Sequence, residues 1–247
     1  MSLIVQKYGG SSLATPVKLR KVAQKIVERK KLGDDLVVVV SAMGDTTDHL
    51  VKLANQVSQN PSARELDMLL SSGERISMSL LSMALNDLGV ASISFTGSQS
   101  GIVTDTTHTN AKILEVKADR IRQELSSGKV VIVAGFQGVS IQKEITTLGR
   151  GGSDVTAVAL AIKLGAERCE FYKDVDGIYT KDPKVHSDAK KLTQCDYSVV
   201  LELVKKGSSV FHPQAIHLAK EHAVPLYLYS TFRTSGSGTE IRSVHQN

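Results

Sequence analysis

Apolar runs of strand length alternate with apolar stripes of helical spacing along nearly the whole chain, and this alternation restricts the fold more than any other feature. Leu36–Val40 and Val130–Ala134 are apolar at every position and rich in valine, the pattern of strands buried on both faces. Leu3–Gln6, Val90–Phe95, Arg168–Tyr172 and Leu226–Tyr229 read as further strands. Between them, Val17–Lys30 carries Leu19, Val22, Ala23, Ile26 and Val27 on one helical face and closes at Gly33. Leu50, Leu53, Ala54 and Val57 keep the same spacing, and a helix from about Gly73 to Leu88 is predicted to turn Ile76, Leu80, Leu81, Ala84 and Leu85 inward. Helices are also expected over Ala118–Leu125, Val155–Leu164, Ser198–Lys205 and Pro213–His222. Strands and helices in this order imply parallel pairing with helical crossovers. The expected fold is therefore α/β: a three-layer sandwich with a mostly parallel central sheet flanked by helices. A chain of 247 residues carries such a sheet as one domain, expected over residues 1–233, with 234–247 as a flexible, polar tail.

Ligands of such sheets sit beyond the carboxyl ends of the strands. Four loops follow predicted strands there: Lys7–Ser12, Ser41–Asp48, Gly135–Gly138 and Lys173–Gly177. The stretch Thr146–Asp154 adds three glycines, Gly149, Gly151 and Gly152, around Arg150, and then a Ser-Asp pair at the start of an apolar helix. Glycines permit positive φ and close backbone approach, and a helix N-terminus favours anions. With Lys7 at the mouth of the Gly9-Gly10 turn, the two turns suggest a cradle for a polyphosphate and an acidic co-substrate. Neither is a Walker A loop or a dinucleotide fingerprint. Gly9-Gly10 is also compatible with a plain tight turn. Ser153 and Asp154 are compatible with helix caps, and Asp154 with a partner for Lys7. Glu74 suits either the dipole of a first helical turn or a substrate ammonium. Asp174, Asp176 and Asp182 lack the full ligand set and closing Glu of a calcium loop, which favours nucleotide handling over calcium. No HExxH, Cys/His or GxSxG pattern occurs, so no protein-held metal and no serine hydrolase chemistry is expected.

The net charge of +5 is spread over helices and aromatics make up only 4%, so no nucleic-acid partner is expected. The longest apolar runs fall far short of the ~20 residues that span a bilayer. The first ten residues lack the pattern of a secretory signal. Two cysteines without ligand spacing suit a reducing compartment, and a cytoplasmic location is expected.

Taken in order, Lys7-Tyr8-Gly9-Gly10-Ser11-Ser12, Val39–Gly44, Ser72-Gly73-Glu74, Gly135-Phe136, Gly149–Asp154, Lys173–Pro183 and Val210-Phe211-His212-Pro213 resemble the motifs of aspartokinases, in the amino-acid kinase superfamily. The resemblance spans about residues 3–232. It implies transfer of the ATP γ-phosphoryl group to the side-chain carboxylate of L-aspartate, the first step towards lysine, threonine and methionine. It further implies Mg²⁺ bound through the nucleotide phosphates, an N-terminal amino-acid-binding part, a C-terminal nucleotide-binding part, and a homodimer. By motif, Lys7 resembles the cation on the transferring group, Asp154 the aspartate that organises the catalytic cations, and Gly10 part of the same catalytic turn. Ser41, Thr46, Thr47, Phe136, Gly151 and Ser153 fall on the amino-acid site, where Glu74 matches the acid for the α-ammonium and Arg150 the arginine for a substrate carboxylate. Gly9, Gly10, Ser11, Lys173, Asp174, Tyr179 and Lys184 join Lys7 on the nucleotide side.

Three departures stand out. Ser11 replaces a threonine. Ser209 stands where many relatives have a phosphate-binding lysine, leaving Lys173, Lys181 or Lys206 to supply that charge. The chain stops at Asn247, with no expected ACT domain, whether as a catalytic fragment or a short natural form. Glutamate or acetylglutamate kinase activity, and a non-catalytic module binding ATP or an amino acid, are the alternative readings.

Overall fold

The computed structural model describes residues 2–183, 185–208, 210–233 and 238–244. The first half of the chain runs β1 (Leu3–Tyr8), α1 (Gly10–Leu13), α2 (Pro16–Lys30), β2 (Asp35–Val40), α3 (Thr46–Val57), α4 (Ala63–Leu70), α5 (Ser72–Asp87), β3 (Ser92–Phe95), β4 (Ile102–Thr104), β5 (Ile113–Val116) and α6 (Asp119–Ser126). It continues with β6 (Val130–Ala134), β7 (Gln137–Ser140), β8 (Ile145–Thr147), α7 (Gly152–Leu164), β9 (Arg168–Lys173), β10 (Ile178–Tyr179) and β11 (Lys191–Leu192). The last elements are β12 (Gln194–Cys195), α8 (Tyr197–Lys205), α9 (Pro213–Glu221), β13 (Leu226–Ser230) and β14 (Thr239–Ile241).

Among the described residues, one eight-stranded sheet has the order β12-β14-β13-β9-β1-β2-β6-β3. Every neighbouring pair in it is parallel except β13 with β14. The valine-rich strands β2 and β6 both have neighbours on either side and are buried over Leu36–Val40 and Val130–Ala134, as their unbroken apolar runs require. On one face, Ile4, Leu36, Val38 and Ile132 pack under Val22, Ile26, Leu81 and Leu85 of α2 and α5. On the other, Val5, Val37, Val133 and Phe171 pack under α7 and α9. Helix α7 is buried along almost its whole length, including Val155–Ala161, because helices and both sheets surround it. The α/β sandwich expected from the alternation is the observed one.

Four short strands form a second sheet in the order β5-β4-β7-β8, which the periodicity did not announce. Strands of three or four residues are too short to show a period, and here they mix apolar with polar residues. This small sheet carries the chain from Phe136 back to Leu148 and delivers the second glycine turn to the rim of the large sheet.

Two expectations are corrected, on the inward face of α5 and on the chain end. Ile76 and Leu80 face solvent, whereas Met78, Leu81 and Leu85 point inward; a helix rich in Leu and Met on two faces leaves its inward direction ambiguous. None of the residues of α3 is fully buried, despite its apolar stripe. Within the segment read as a flexible tail, Thr239–Ile241 forms β14 between β12 and β13, and the Thr239 hydroxyl bridges the Ile178 N–H and the Leu192 carbonyl. Ser and Gly in the preceding residues mask a strand of only three residues.

Ile241 is fully buried and in register with Leu226 and Cys195. Ile241→Ala is therefore expected to cost about 2–5 kcal/mol of unfolding free energy, read from urea denaturation. A loosely held tail would leave the midpoint unchanged.

Candidate active site

Side chains along a strand alternate between faces. Val5 and Lys7 of β1 therefore point towards α7, as do Cys169, Phe171 and Lys173 of the adjacent strand β9. Helix α7 begins just above the ends of these strands, and Asp154 in its first turn meets both lysines. Lys7 Nζ lies 2.8 Å from Asp154 Oδ1, and Lys173 Nζ lies 3.0 Å from Oδ2. Lys173 also donates to the Val210 carbonyl. Burial alone would raise the Asp154 pKa, but the ammonium groups of Lys173 and Lys7 outweigh it and hold the carboxyl well below the ordinary range. Burial likewise lowers the Lys173 pKa, with Asp154 opposing. The three groups carry a net charge of +1 at the carboxyl end of the sheet.

Gly149 and Gly151 both have positive φ, near +73° and +72°. The turn they make is walled on three sides. A Cβ on Gly149 would stand 2.7 Å from Asn110 Oδ1, one on Gly151 would be 2.3 Å from His212 Cγ, and one on Gly152 would be 2.8 Å from Leu148 Cβ. The N-cap of α7 is Gly151, not Ser153 or Asp154; the Asp154 carboxylate is spent on the lysines. Arg150 projects to solvent and forms no ion pair among the described residues. At the first turn, Gly10 has ordinary backbone angles, and its role is close approach: a Cβ there would come 2.8 Å from the Ala42 carbonyl oxygen. The Gly44 N–H donates to the Gly10 carbonyl at 3.0 Å, which joins this turn to the loop after β2.

Glu74, in the first turn of α5, is 3% exposed. Its Oε1 accepts the Ala42 N–H at 3.0 Å, and its Oε2 is buried without a partner. Gly73 makes this approach possible, since a Cβ there would be 2.8 Å from Ala42 Cβ. Burial pushes the Glu74 carboxyl up to about 7, with the Ala42 N–H and the Lys7 charge partly opposing.

A cleft of about 300 Å³ brings together Lys7, Gly10, Ser41, Thr47, Glu74, Phe136, Arg150, Gly151, Ser153 and Asp154. Thr46 does not line it; its hydroxyl donates to the Met43 carbonyl at 2.6 Å and starts α3. Gly9 sits beside the turn, bonded to the Tyr172 carbonyl at 3.3 Å. Ser11 is exposed, and its carbonyl accepts from Lys18. Lys173 reaches the site through Asp154. Asp174 is exposed, and the Tyr179 hydroxyl donates to Asp176 at 3.1 Å, beyond the cleft wall. Asp176 also faces Arg233 and Lys191. Lys184 and Ser209 lie outside the described residues. Of the cations considered for the charge absent at Ser209, Lys173 is committed to Asp154 and Lys181 to Asp188.

Several supporting contacts gave no sequence signal. Phe136 is held at φ +70°. The Thr156 hydroxyl accepts the Phe136 N–H at 3.2 Å and donates to the Gly152 carbonyl at 2.9 Å, tying the two cleft loops together. His212 packs on Gly151, with its Nδ1 buried and unpaired. Asp67 is a fully buried acid on α4, behind the cleft wall. A threonine and an aspartate at unremarkable spacings, and a motif histidine with no role read for it, become a support only once the fold assembles them.

The model of the amino acid kinase family matches residues 2–230. The aspartokinase of Bacillus sp. strain MGA3 is 51% identical over 231 residues, 94% of this chain and 56% of that protein. This chain thus spans about half the length of the curated relatives it matches. The aspartate kinase structure from Synechocystis superposes with a TM-score of 0.88 at 44% identity, covering all of this chain and 41% of that one. E. coli aspartokinase III, solved with aspartate and ADP, gives a TM-score of 0.88 at 26% identity, covering 99% of this chain and 65% of that one.

The Glu74 environment predicts a pH dependence of folding. Its folded pKa, about 7, lies above the ordinary 4.5, so the native state keeps a proton that the unfolded chain has released. Unfolding free energy therefore falls as pH rises through that window, and the loss is complete just above it. Glu74→Gln is expected to remove this slope, leaving the variant more stable than the parent by about 1–3 kcal/mol at pH 8 and similar to it at pH 4.5. Urea unfolding of the ligand-free protein across that range checks it; parallel curves for both proteins would refute it.

Proposed function

Because this chain belongs to the amino acid kinase family, we propose that it transfers the γ-phosphoryl group of ATP to the side-chain carboxylate of L-aspartate, giving 4-phospho-L-aspartate and ADP. One observation carries the reading: a buried, unpaired carboxylate oxygen of Glu74 lines the same cleft as the Lys7–Asp154 pair and Arg150. Such a cleft suits a ligand with an ammonium group at one end and anionic groups elsewhere. The relatives named aspartokinase, and the E. coli enzyme solved with aspartate and ADP, support the same assignment.

An aspartate side chain has a pKa of ~3.9 and is already an anion at neutral pH, so the acceptor needs no general base. The barrier is the approach of two anions, and catalysis rests on position and charge. In this reading Lys7 meets the transferring phosphoryl group. Asp154 keeps Lys7 and Lys173 aimed and charged. Gly10 and the Gly149–Gly152 turn let main chain come close to the phosphates. Glu74 takes the α-ammonium and Arg150 a carboxylate, with Ser41, Thr47, Phe136 and Ser153 shaping the pocket. The nucleotide extends over Gly9, Ser11 and the segment containing Asp174, Tyr179 and Lys184. Asp154 is already bonded to lysine through both oxygens, and among the described residues no group of three acids, histidines or cysteines is placed to hold a metal. Mg²⁺ therefore fits as a passenger on the nucleotide phosphates, where it neutralises their charge. The division into an N-terminal amino-acid part and a C-terminal nucleotide part, the homodimer and the cytoplasmic location belong to the same proposal.

An ADP-release assay with L-aspartate, L-glutamate and N-acetylglutamate tests the reading; a preference for either of the last two overturns the substrate assignment. Lys7→Ala is expected to lower kcat by about 100- to 1000-fold. The fold should survive, because Asp154 keeps Lys173 as a partner, and circular dichroism checks this. Arg150→Ala is expected to raise the KM for aspartate at least about tenfold while the KM for ATP stays put. Unchanged constants would remove Arg150 from the site.

A further inference from the structure

Asp67 stands outside the cleft, yet it is fully buried and the hydrogen bonds of its carboxylate lead towards the second glycine turn. The Thr109 N–H donates to Oδ1 at 3.0 Å and to Oδ2 at 3.1 Å. The Thr147 hydroxyl donates to Oδ1 at 2.5 Å, and His108 Nδ1 lies 2.7 Å from Oδ2. One carboxylate of α4 thus gathers a loop and the last residue of β8. The Ala111 N–H closes the unit by donating to the Thr147 carbonyl at 2.9 Å.

The loop that is held this way adopts a conformation it would not choose. Thr109 has φ +65°, in the left-handed region that β-branched residues avoid. In that conformation the Thr109 carbonyl and the Asn110 side chain form the wall against Gly149: a Cβ there would meet them at 3.2 and 2.7 Å. Gly149 immediately precedes Arg150. We propose that Asp67 is a positioning residue for amino-acid selectivity. It holds Thr109 in its left-handed conformation and thereby fixes the Gly149–Arg150 turn at the carboxylate end of the pocket. This rests on the reading of Arg150 as the partner of a substrate carboxylate.

A merely structural acid would lower stability and disturb both substrates alike. A positioning acid acts on one substrate, and glycine at 109, which takes positive φ without strain, should replace it in part. Asp67→Asn is expected to raise the KM for aspartate roughly 10- to 100-fold, with the KM for ATP within about twofold of the parent. Adding Thr109→Gly to that variant should recover most of the aspartate KM. Should Asp67→Asn not accumulate as folded protein, Thr147→Val removes one donor and carries the same expectation. Amide hydrogen exchange without substrate gives an independent reading: peptides covering 107–112 and 146–152 should exchange faster in Asp67→Asn and slow again with Thr109→Gly. Equal rises in both KM values, no rescue by glycine, or unchanged exchange at 146–152 overturns the proposal. If the parent protein does not phosphorylate aspartate, the functional reading falls, and the exchange pattern still decides whether Asp67 governs the turn.

Discussion

A carboxylate buried between two ammonium groups organises this molecule. Asp154 could not stay ionised where it sits without Lys7 and Lys173, and removing a buried charge from water is costly unless it is paired. The pairing makes demands on the whole fold. Lys7 and Lys173 must lie on the same face of neighbouring parallel strands, which the register of β1 with β9 secures. Helix α7 must start over the ends of those strands, which its burial between the sheets secures. Two cations against one anion leave an excess positive charge fixed at the rim, with its partners already desolvated. Charge prepared in this way need not reorganise when an anionic ligand arrives, and such preorganisation is the main electrostatic means by which proteins stabilise transferring phosphate.

Rigidity around that charge comes from contacts rather than from the glycines themselves. Gly149, Gly151 and Gly152 supply permissive backbone, yet three glycines within four residues would alone be mobile. Their neighbours remove the freedom: Asn110 faces Gly149, His212 covers Gly151, and Leu148 with Phe136 presses on Gly152. Thr156 then bonds the Phe136 N–H and the Gly152 carbonyl with one hydroxyl. Two non-glycine residues in left-handed backbone, Thr109 and Phe136, lie against this turn. Strain of that kind persists only where surrounding structure over-determines it.

Much of the layout was legible in the sequence because its cause is local. Unbroken valine runs must be buried on both faces, so β2 and β6 could be read as interior strands covered on either side, and parallel crossovers follow from the helices between them. The convergence of Lys7, Ser41, Phe136 and Lys173 at one rim was legible for the same reason, since parallel strands send their carboxyl ends the same way, whereas Arg150 is brought there by the second sheet. What was not legible depends on long-range assembly. The β4–β5–β7–β8 sheet has strands too short for a period, and Thr239–Ile241 hides behind polar, glycine-containing sequence. Asp67 looks like an ordinary helix acid until α4 packs beside β8. Thr46, by contrast, carries a motif position yet spends its hydroxyl on the chain turn before α3.

The cleft holds two carboxylates whose pKa values are driven in opposite directions, and the fold explains the difference. Asp154 and Glu74 are both nearly inaccessible, so burial raises the pKa of each. Asp154 meets two ammonium groups at contact distance and remains an anion. Glu74 receives one backbone N–H and the more distant field of Lys7, which is too little to offset its burial. Its second oxygen is left without a partner. A protonated or strained acid at that point is a standing cost to the ligand-free protein, and a bound ammonium group would remove it by supplying both the charge and the missing hydrogen bond. Lys7 acts on both acids, tightly on one and weakly on the other. Any change in its position therefore alters the two ends of the cleft together, which ties recognition of the amino group to the charge that would face the phosphate.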